Sequence, residues 1–239
     1  MEDIRIFETD LDLFEAYSEL ILSELEEKDR INICLSGGST PKALFSYWAK
    51  ESNFDIPWEN IRIFWGDERC VPPDDEESNF GMTRKYLLEH INIPQENIFR
   101  IMGENDPVEE IERYSKIIGD VVESKRGLPS FDIMMLGMGE DGHTASIFPY
   151  QIKLWNSNEY CTIGTHPISG QKRVSVTGKI INNSKVVTFL VTGRSKSRIV
   201  QEIIENKSEV THLYPAALVK PVSGDIQWFL DVESASKLE

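Results

Sequence analysis

The chain has 239 residues, 40% of them hydrophobic and 27% charged, with 40 Asp and Glu against 25 Lys and Arg for a formal net charge of −15. That length and composition suit one α/β domain spanning 1–239 with a well-buried core and leave no room for a disordered majority. The mean field repels nucleic acid and anionic membranes, so neither is expected as a partner, and a small anionic substrate needs a locally basic pocket.

The opening 1-MEDIRIFETD-10 is acidic where a signal or transit peptide is basic, and no apolar run approaches membrane-spanning length, which predicts a cytoplasmic protein. Apolar residues at helical spacing predict a first helix over residues 11–27, followed by a buried strand at 31-INICL-35. A second helix is predicted from near Pro41, since proline is tolerated in a first turn whose N–H groups have no intrahelical partner. The strand 61-IRIFW-65 comes next, then helices over about 79–90 and 107–123. The strands 131-FDIMML-136 and 186-VVTFLVT-192 and a helix over about 195–205 complete the pattern. Alternating strands and helices predict an α/β fold with a mainly parallel sheet flanked by helices on both faces, and ligands at the carboxyl ends of the strands. There is no internal repeat and no linker that would divide the chain. Cys34, Cys70 and Cys161 are odd in number, far apart and lack C-x-x-C spacing, so they read as neither a disulfide framework nor a zinc site. Asn182 and Asn206 head formal N-x-S sequons, which carry no meaning without a secretory signal.

Several segments at predicted strand ends carry candidate chemistry. In 36-SGGSTP-41 the residues Ser36, Gly37, Gly38, Ser39 and Thr40 join a strand to a helix. They form either an anion nest for a phosphate monoester, from N–H groups and hydroxyls at a helix N-terminus, or a tight turn with Thr40 as N-cap. The spacing is not that of a Walker loop. In 66-GDERCVPPDDEESNF-80 the cluster from Asp74 to Glu77 reads as a solvated loop. Asp67 and Arg69, two residues apart after an apolar strand, face the same side. They read either as a mutual ion pair or as a hydroxyl acceptor and a phosphate-binding guanidinium.

The stretch 136-LGMGEDGHTASIFP-149 contains G-x-G-x-x-G, yet Pro149 follows Gly142 by only seven residues and Asp141 would repel a pyrophosphate. A dinucleotide loop needs a longer helix and no such charge. His143 is the sharper feature, because an imidazole titrates near neutrality and suits proton abstraction from water. Asp141 is close enough to orient it. His90, His166 and His212 read as exposed loop histidines, and no second ligand stands at metal spacing to His143, so neither metal nor cofactor is expected. In 193-GRSKSRIV-200 the cation Lys196 sits at a helix start, where an anionic ligand would relieve its conflict with the dipole; Arg194 and Arg198 compete for that role.

Taken together, LSGGSTP, WGDERCVP with the following SNFGM, LGMGEDGHTASIFP and LVTGRSKS resemble the 6-phosphogluconolactonase family, in that order and over about residues 35–199. The resemblance implies a Rossmann-like fold and hydrolysis of 6-phospho-D-glucono-1,5-lactone to 6-phospho-D-gluconate, a step of the oxidative pentose phosphate pathway, without metal or redox cofactor. It makes His143 the general base. It assigns Arg69, Lys196 and the 36–40 loop to phosphate binding, and Asp67 to the substrate pocket. Two positions depart from the family pattern: Tyr150 replaces a glycine, and the PKPP segment before its R-[IV]-[ST] strand appears only as 166-HPISGQKRVSV-176, which leaves contacts by Arg173 open. Related glucosamine-6-phosphate deaminases share the phosphate loop and histidine but usually carry an acid where this chain has Phe148. They also typically show an aromatic residue at the position of Arg69, so both differences favour the lactonase. A non-catalytic sugar-phosphate sensor is the remaining alternative. Oligomeric state is not legible.

Overall fold

The structure is a computed structural model that describes residues 2–50 and 54–239. Seven strands form one fully parallel sheet: β1 (Glu2–Phe7), β2 (Ile31–Leu35), β3 (Ile61–Trp65), β5 (Ile98–Phe99), β8 (Ile133–Leu136), β11 (Val186–Val191) and β12 (Asp225–Asp231). Its order is β1-β12-β11-β8-β2-β3-β5, and every pairing is parallel. Side chains along a strand alternate between faces, yet every residue of β2, β8 and β11 is buried, so the central strands are covered on both sides. The apolar runs read from the sequence are these strands. Strands β1, β12 and the two-residue β5 are the part the runs did not reveal; β1 has no fully buried residue and carries charge at Glu2, Asp3 and Arg5.

The predicted helices are present with shifted ends. Thr9 caps α1 (Asp10–Glu27) by accepting from the Asp12 N–H at 3.1 Å. Helix α2 (Ser39–Lys50) begins two residues before Pro41. The helix predicted over 79–90 is α3 (Asn79–Thr83), continued by a wider π turn through Leu88. Asp106 caps α4 (Pro107–Val121), with Pro107 at its first position. A short α5 (Gly178–Ile181) precedes β11, and α6 (Ser197–Glu205) follows a 3-10 turn at Arg194–Lys196.

A second sheet was not predicted. It is antiparallel and joins β4 (Asp67–Arg69), β10 (Lys172–Val176) and β9 (Cys161–Thr165) in the order β4-β10-β9. A small hairpin of β6 (Ser124–Lys125) and β7 (Leu128–Pro129) completes the strands. The three cysteines are free thiols, two of them buried. Among the described residues no helix is long and apolar enough to cross a membrane.

The topology fixes where a ligand fits. From β2 the chain builds outward through β3 and β5, then returns to the other side of β2 to lay down β8, β11 and β12. The β2–β8 ladder runs only through Ile33–Ile133 and Cys34–Met134, before either strand ends. Connections leave in opposite directions at this switch point, which opens a crevice at the carboxyl ends.

Candidate active site

The loops after β2, β3, β8 and β11 converge on that crevice. Each of Ser36, Gly37, Gly38, Ser39 and Thr40 lines it, with Gly38 at φ +108° turning the chain into α2. The alternative of Thr40 as N-cap is corrected: helix α2 already includes it, and its hydroxyl lies 2.7 Å from the Thr192 hydroxyl after β11. The N–H groups of the first helical turn have no intrahelical acceptors and offer positive partial charge to an anion. A Cβ on Gly37 would lie 1.9 Å from Asn79 Oδ1. Only glycine lets the loop pass beneath that amide.

After β3 the chain steps into β4. Asp67, Glu68 and Arg69 alternate in direction, as a strand requires. Asp67 and Arg69 line the cleft, while Glu68 is buried and pins the next loop. Its carboxylate accepts from the backbone N–H groups of Arg69, Asn79 and Phe80 at 2.7–2.8 Å and from the Ser78 hydroxyl at 3.1 Å. Burial nevertheless pushes the Glu68 carboxyl above its ordinary pKa. The Asp67 carboxylate accepts from the Ser146 hydroxyl at 2.5 Å and from the Asn79 amide at 3.4 Å. The ion-pair reading of Asp67 with Arg69 is corrected, because no such pair forms among the described residues. Nor, among the described residues, is any carboxylate within 4 Å of a charged nitrogen of Arg69, Arg173 or Lys196. Three cations therefore face one cleft without an ion-pair partner among the described residues, and the Asp67 carboxylate lines the same cleft. Lys196 alone among the basic residues of its segment reaches it, while Arg198 bonds Glu202 on the helix surface.

After β8 the chain forms the histidine loop. His143 Nδ1 lies 2.6 Å from Asp141 Oδ1, and the same oxygen accepts from the His143 backbone N–H at 3.2 Å. Partial burial acts to raise the Asp141 carboxyl, but the hydrogen bond and charge of His143 outweigh it and hold the pKa below its ordinary value. The ring's Nδ1 is thus engaged, leaving Nε2 for the cleft that His143 lines. The G-x-G-x-x-G spacing has its reason here. A Cβ on Gly139 would lie 2.1 Å from His143 Nδ1, and the backbone N–H of Gly139 donates to the His143 carbonyl at 2.9 Å. No α-helix follows Gly142; the loop closes through a bridge between Thr144 and Ile147. Phe148 is buried with its ring 4.7 Å from that of His143.

The family described as glucosamine-6-phosphate isomerases/6-phosphogluconolactonase matches residues 10–228. The chain belongs to this family. It is 47% identical over 202 residues to a 6-phosphogluconolactonase of Haemophilus influenzae, covering 84% of each chain. It is 44% identical over 198 residues to that of Treponema pallidum, covering 83% of this chain and 82% of the relative. A crystal structure named as devB protein superposes with a TM-score of 0.94 at 40% identity over the full length of both chains.

The family's motif segments are thus the four loops that meet at the switch point. Asn79 and Arg173 are among the cleft residues the sequence reading did not commit to. Asn79 was visible only as part of SNFGM. For Arg173 the signal was the alternation in 172-KRVSV-176, which makes a strand carrying Arg173 and Ser175 on one face, opposite Arg69 and Asp67. His166 is not the simple exposed histidine expected: it is half-buried, its ring 5.5 Å from Phe148. Burial and the charges of Arg173 and His143 push its pKa down.

Proposed function

We propose that this chain hydrolyses 6-phospho-D-glucono-1,5-lactone to 6-phospho-D-gluconate in the oxidative pentose phosphate pathway. The chain is a carboxylic ester hydrolase acting on a phosphosugar lactone, within one domain spanning 1–239, and we place its action in the cytoplasm. The observation that carries the reading is the pairing of His143 with Asp141 beside a cleft that His143 lines together with Arg69, Arg173 and Lys196, three cations with no ion-pair partner among the described residues. A phosphorylated substrate neutralises those cations, and a lactone needs one proton transfer at its carbonyl end.

In this mechanism Arg69, Lys196 and the 36–40 loop hold the phosphate, and the buried Asp67 accepts hydrogen bonds from substrate hydroxyls. His143 takes a proton from water through Nε2 while the oxygen attacks C1. Asp141 keeps the proton on Nδ1 and stabilises the imidazolium that forms. The tetrahedral oxyanion collapses, the C1–O5 bond breaks, and the imidazolium returns its proton to O5. The sum is one water added across one ester bond. Positioning and one general base suffice because the ring ester already reacts slowly with water.

Deamination of glucosamine 6-phosphate, the alternative the sequence raised, asks for a second proton-transfer group. Phe148 supplies an apolar ring beside His143 where deaminases usually carry an acid. The deciding experiment offers freshly generated 6-phosphogluconolactone and, separately, glucosamine 6-phosphate, with spontaneous hydrolysis subtracted. Acid release undiminished by a chelator, without ammonia, is the expected result. His143-dependent ammonia release would transfer the assignment to the deaminase, and tight binding with neither product to a sensor.

A further inference from the structure

Arg69 and Arg173 stand directly opposite each other on the antiparallel strands β4 and β10, and both line the cleft. Directly opposed residues bring their Cβ atoms to about 4.5–5.5 Å, and like charges there repel. With no carboxylate among the described residues paired to either, something else must keep the two guanidinium groups from splaying apart. Arg69 donates from Nη1 to the Glu77 carbonyl at 2.5 Å. Arg173 donates from Nε to Gln171 Oε1 at 3.3 Å. Gln171 in turn donates from Nε2 to Glu77 Oε2 at 2.8 Å. These three bonds form one clasp across the mouth of the small sheet, tying the acidic loop before α3 to the turn before β10.

The chemistry of position 171 is specific. Its side chain must accept from a guanidinium and donate to a carboxylate at once, which an amide does and a carboxylate does not. Both ends are anchored. Asp75 Oδ1 accepts from the Glu77 N–H at 2.9 Å, and the Gln171 carbonyl accepts from the His166 N–H at 2.9 Å. Neither Gln171 nor Glu77 lines the cleft itself.

We propose that Gln171, acting through Glu77, is a positioning residue that presets the Arg69–Arg173 pair for the oxygens of an anionic substrate group. The assignment rests on the reading of the cleft as a phosphosugar site. An Arg pair held in place loses less side-chain freedom on binding than a free one, so the clasp acts on affinity rather than on the proton transfer at His143.

The test compares wild type with Gln171→Leu, Glu77→Gln, Gln171→Glu and the double exchange Gln171→Glu with Glu77→Gln. The readouts are the calorimetric Kd for 6-phosphogluconate, and KM and kcat for the phospholactone. Gln171→Leu is expected to weaken Kd and KM by roughly 5- to 20-fold, less than the loss of a direct bond to a charged group because the clasp acts on the substrate only through the arginines, with kcat within about twofold. Gln171→Glu is expected to be worse, since two carboxylates then face each other. The double exchange swaps donor and acceptor, keeps an acceptor for Arg173 Nε and restores binding; a role in stability alone would not be rescued this way. An unchanged Kd in Gln171→Leu, or a double exchange as weak as Gln171→Glu, overturns the clasp. Because Kd is read without turnover, a wild type that binds but does not hydrolyse counts against the lactonase reading and leaves the clasp to be judged by Kd.

Discussion

Asp141 and His143, two residues apart, fold back on each other so that one carboxylate oxygen meets both the backbone N–H and the Nδ1 of the same histidine. This Asx-like turn fixes the ring's rotation and its tautomer together. Asp67, the other carboxylate of the site, is committed to Ser146 and Asn79 instead. His143→Ala is expected to lower kcat about 10²- to 10⁴-fold, the usual share of a general base. Asp141→Asn is expected to fall short of that loss, since the water still has an imidazole. Near-normal turnover by His143→Ala after subtraction of spontaneous hydrolysis refutes the assignment.

The same pair has a consequence for pH. The folded Asp141 carboxyl has a pKa below its ordinary value, so the unfolded chain binds the proton more tightly. The pair's contribution to stability is therefore fully present above the ordinary carboxylate value of about 3.9 and is lost as pH falls through the folded one. Asp141 is nearly half exposed, which keeps the contribution small. An NMR titration of the side-chain carboxyl checks the sign: it titrates low in wild type and moves up in His143→Ala, where burial and the backbone N–H bond remain and the ring's hydrogen bond and charge do not.

Phosphate recognition is tested by Arg69→Ala and Lys196→Ala. Each removes a charge-assisted bond of about 1.5–3 kcal/mol, or roughly 10- to 150-fold in kcat/KM, mostly through KM. Unphosphorylated gluconolactone is expected to be a poor substrate for the wild type and indifferent to either change. Equal efficiency with both lactones removes phosphate from the account.

Gly37 and Asn79 give a coupled prediction. Gly37→Ala drives a Cβ into the Asn79 amide, which is buried and donates to the Asp67 carbonyl at 2.9 Å. The displaced amide carries the 36–40 loop and Asp67 out of register, and a shift of about 1 Å in such a site costs on the order of 10²-fold. In an Asn79→Ala background the same substitution is expected to cost far less. Additive losses in kcat/KM across the four proteins would show that the two residues do not share this contact.

Much of this protein was determined by the sequence itself. The apolar runs of β2, β3, β8 and β11 are buried on both faces, so they read as strands without help from their neighbours, and the glycine-rich and charged segments fall where those strands end. His143 and Asp141 are legible for the same reason: their contact spans two residues and needs no distant partner. What lies further apart was settled only by tertiary structure. The edge strand β1 is half polar and holds its place through pairing with β12, more than 200 residues away in sequence. The order in which strands join the sheet decides that the β2 and β8 loops share one crevice. Arg173 becomes Arg69's neighbour only because β10 pairs with β4, a ladder between segments about 100 residues apart. Local propensity reports what a segment can form, whereas register and long-range pairing depend on which distant surfaces bury one another, and no single segment carries that information.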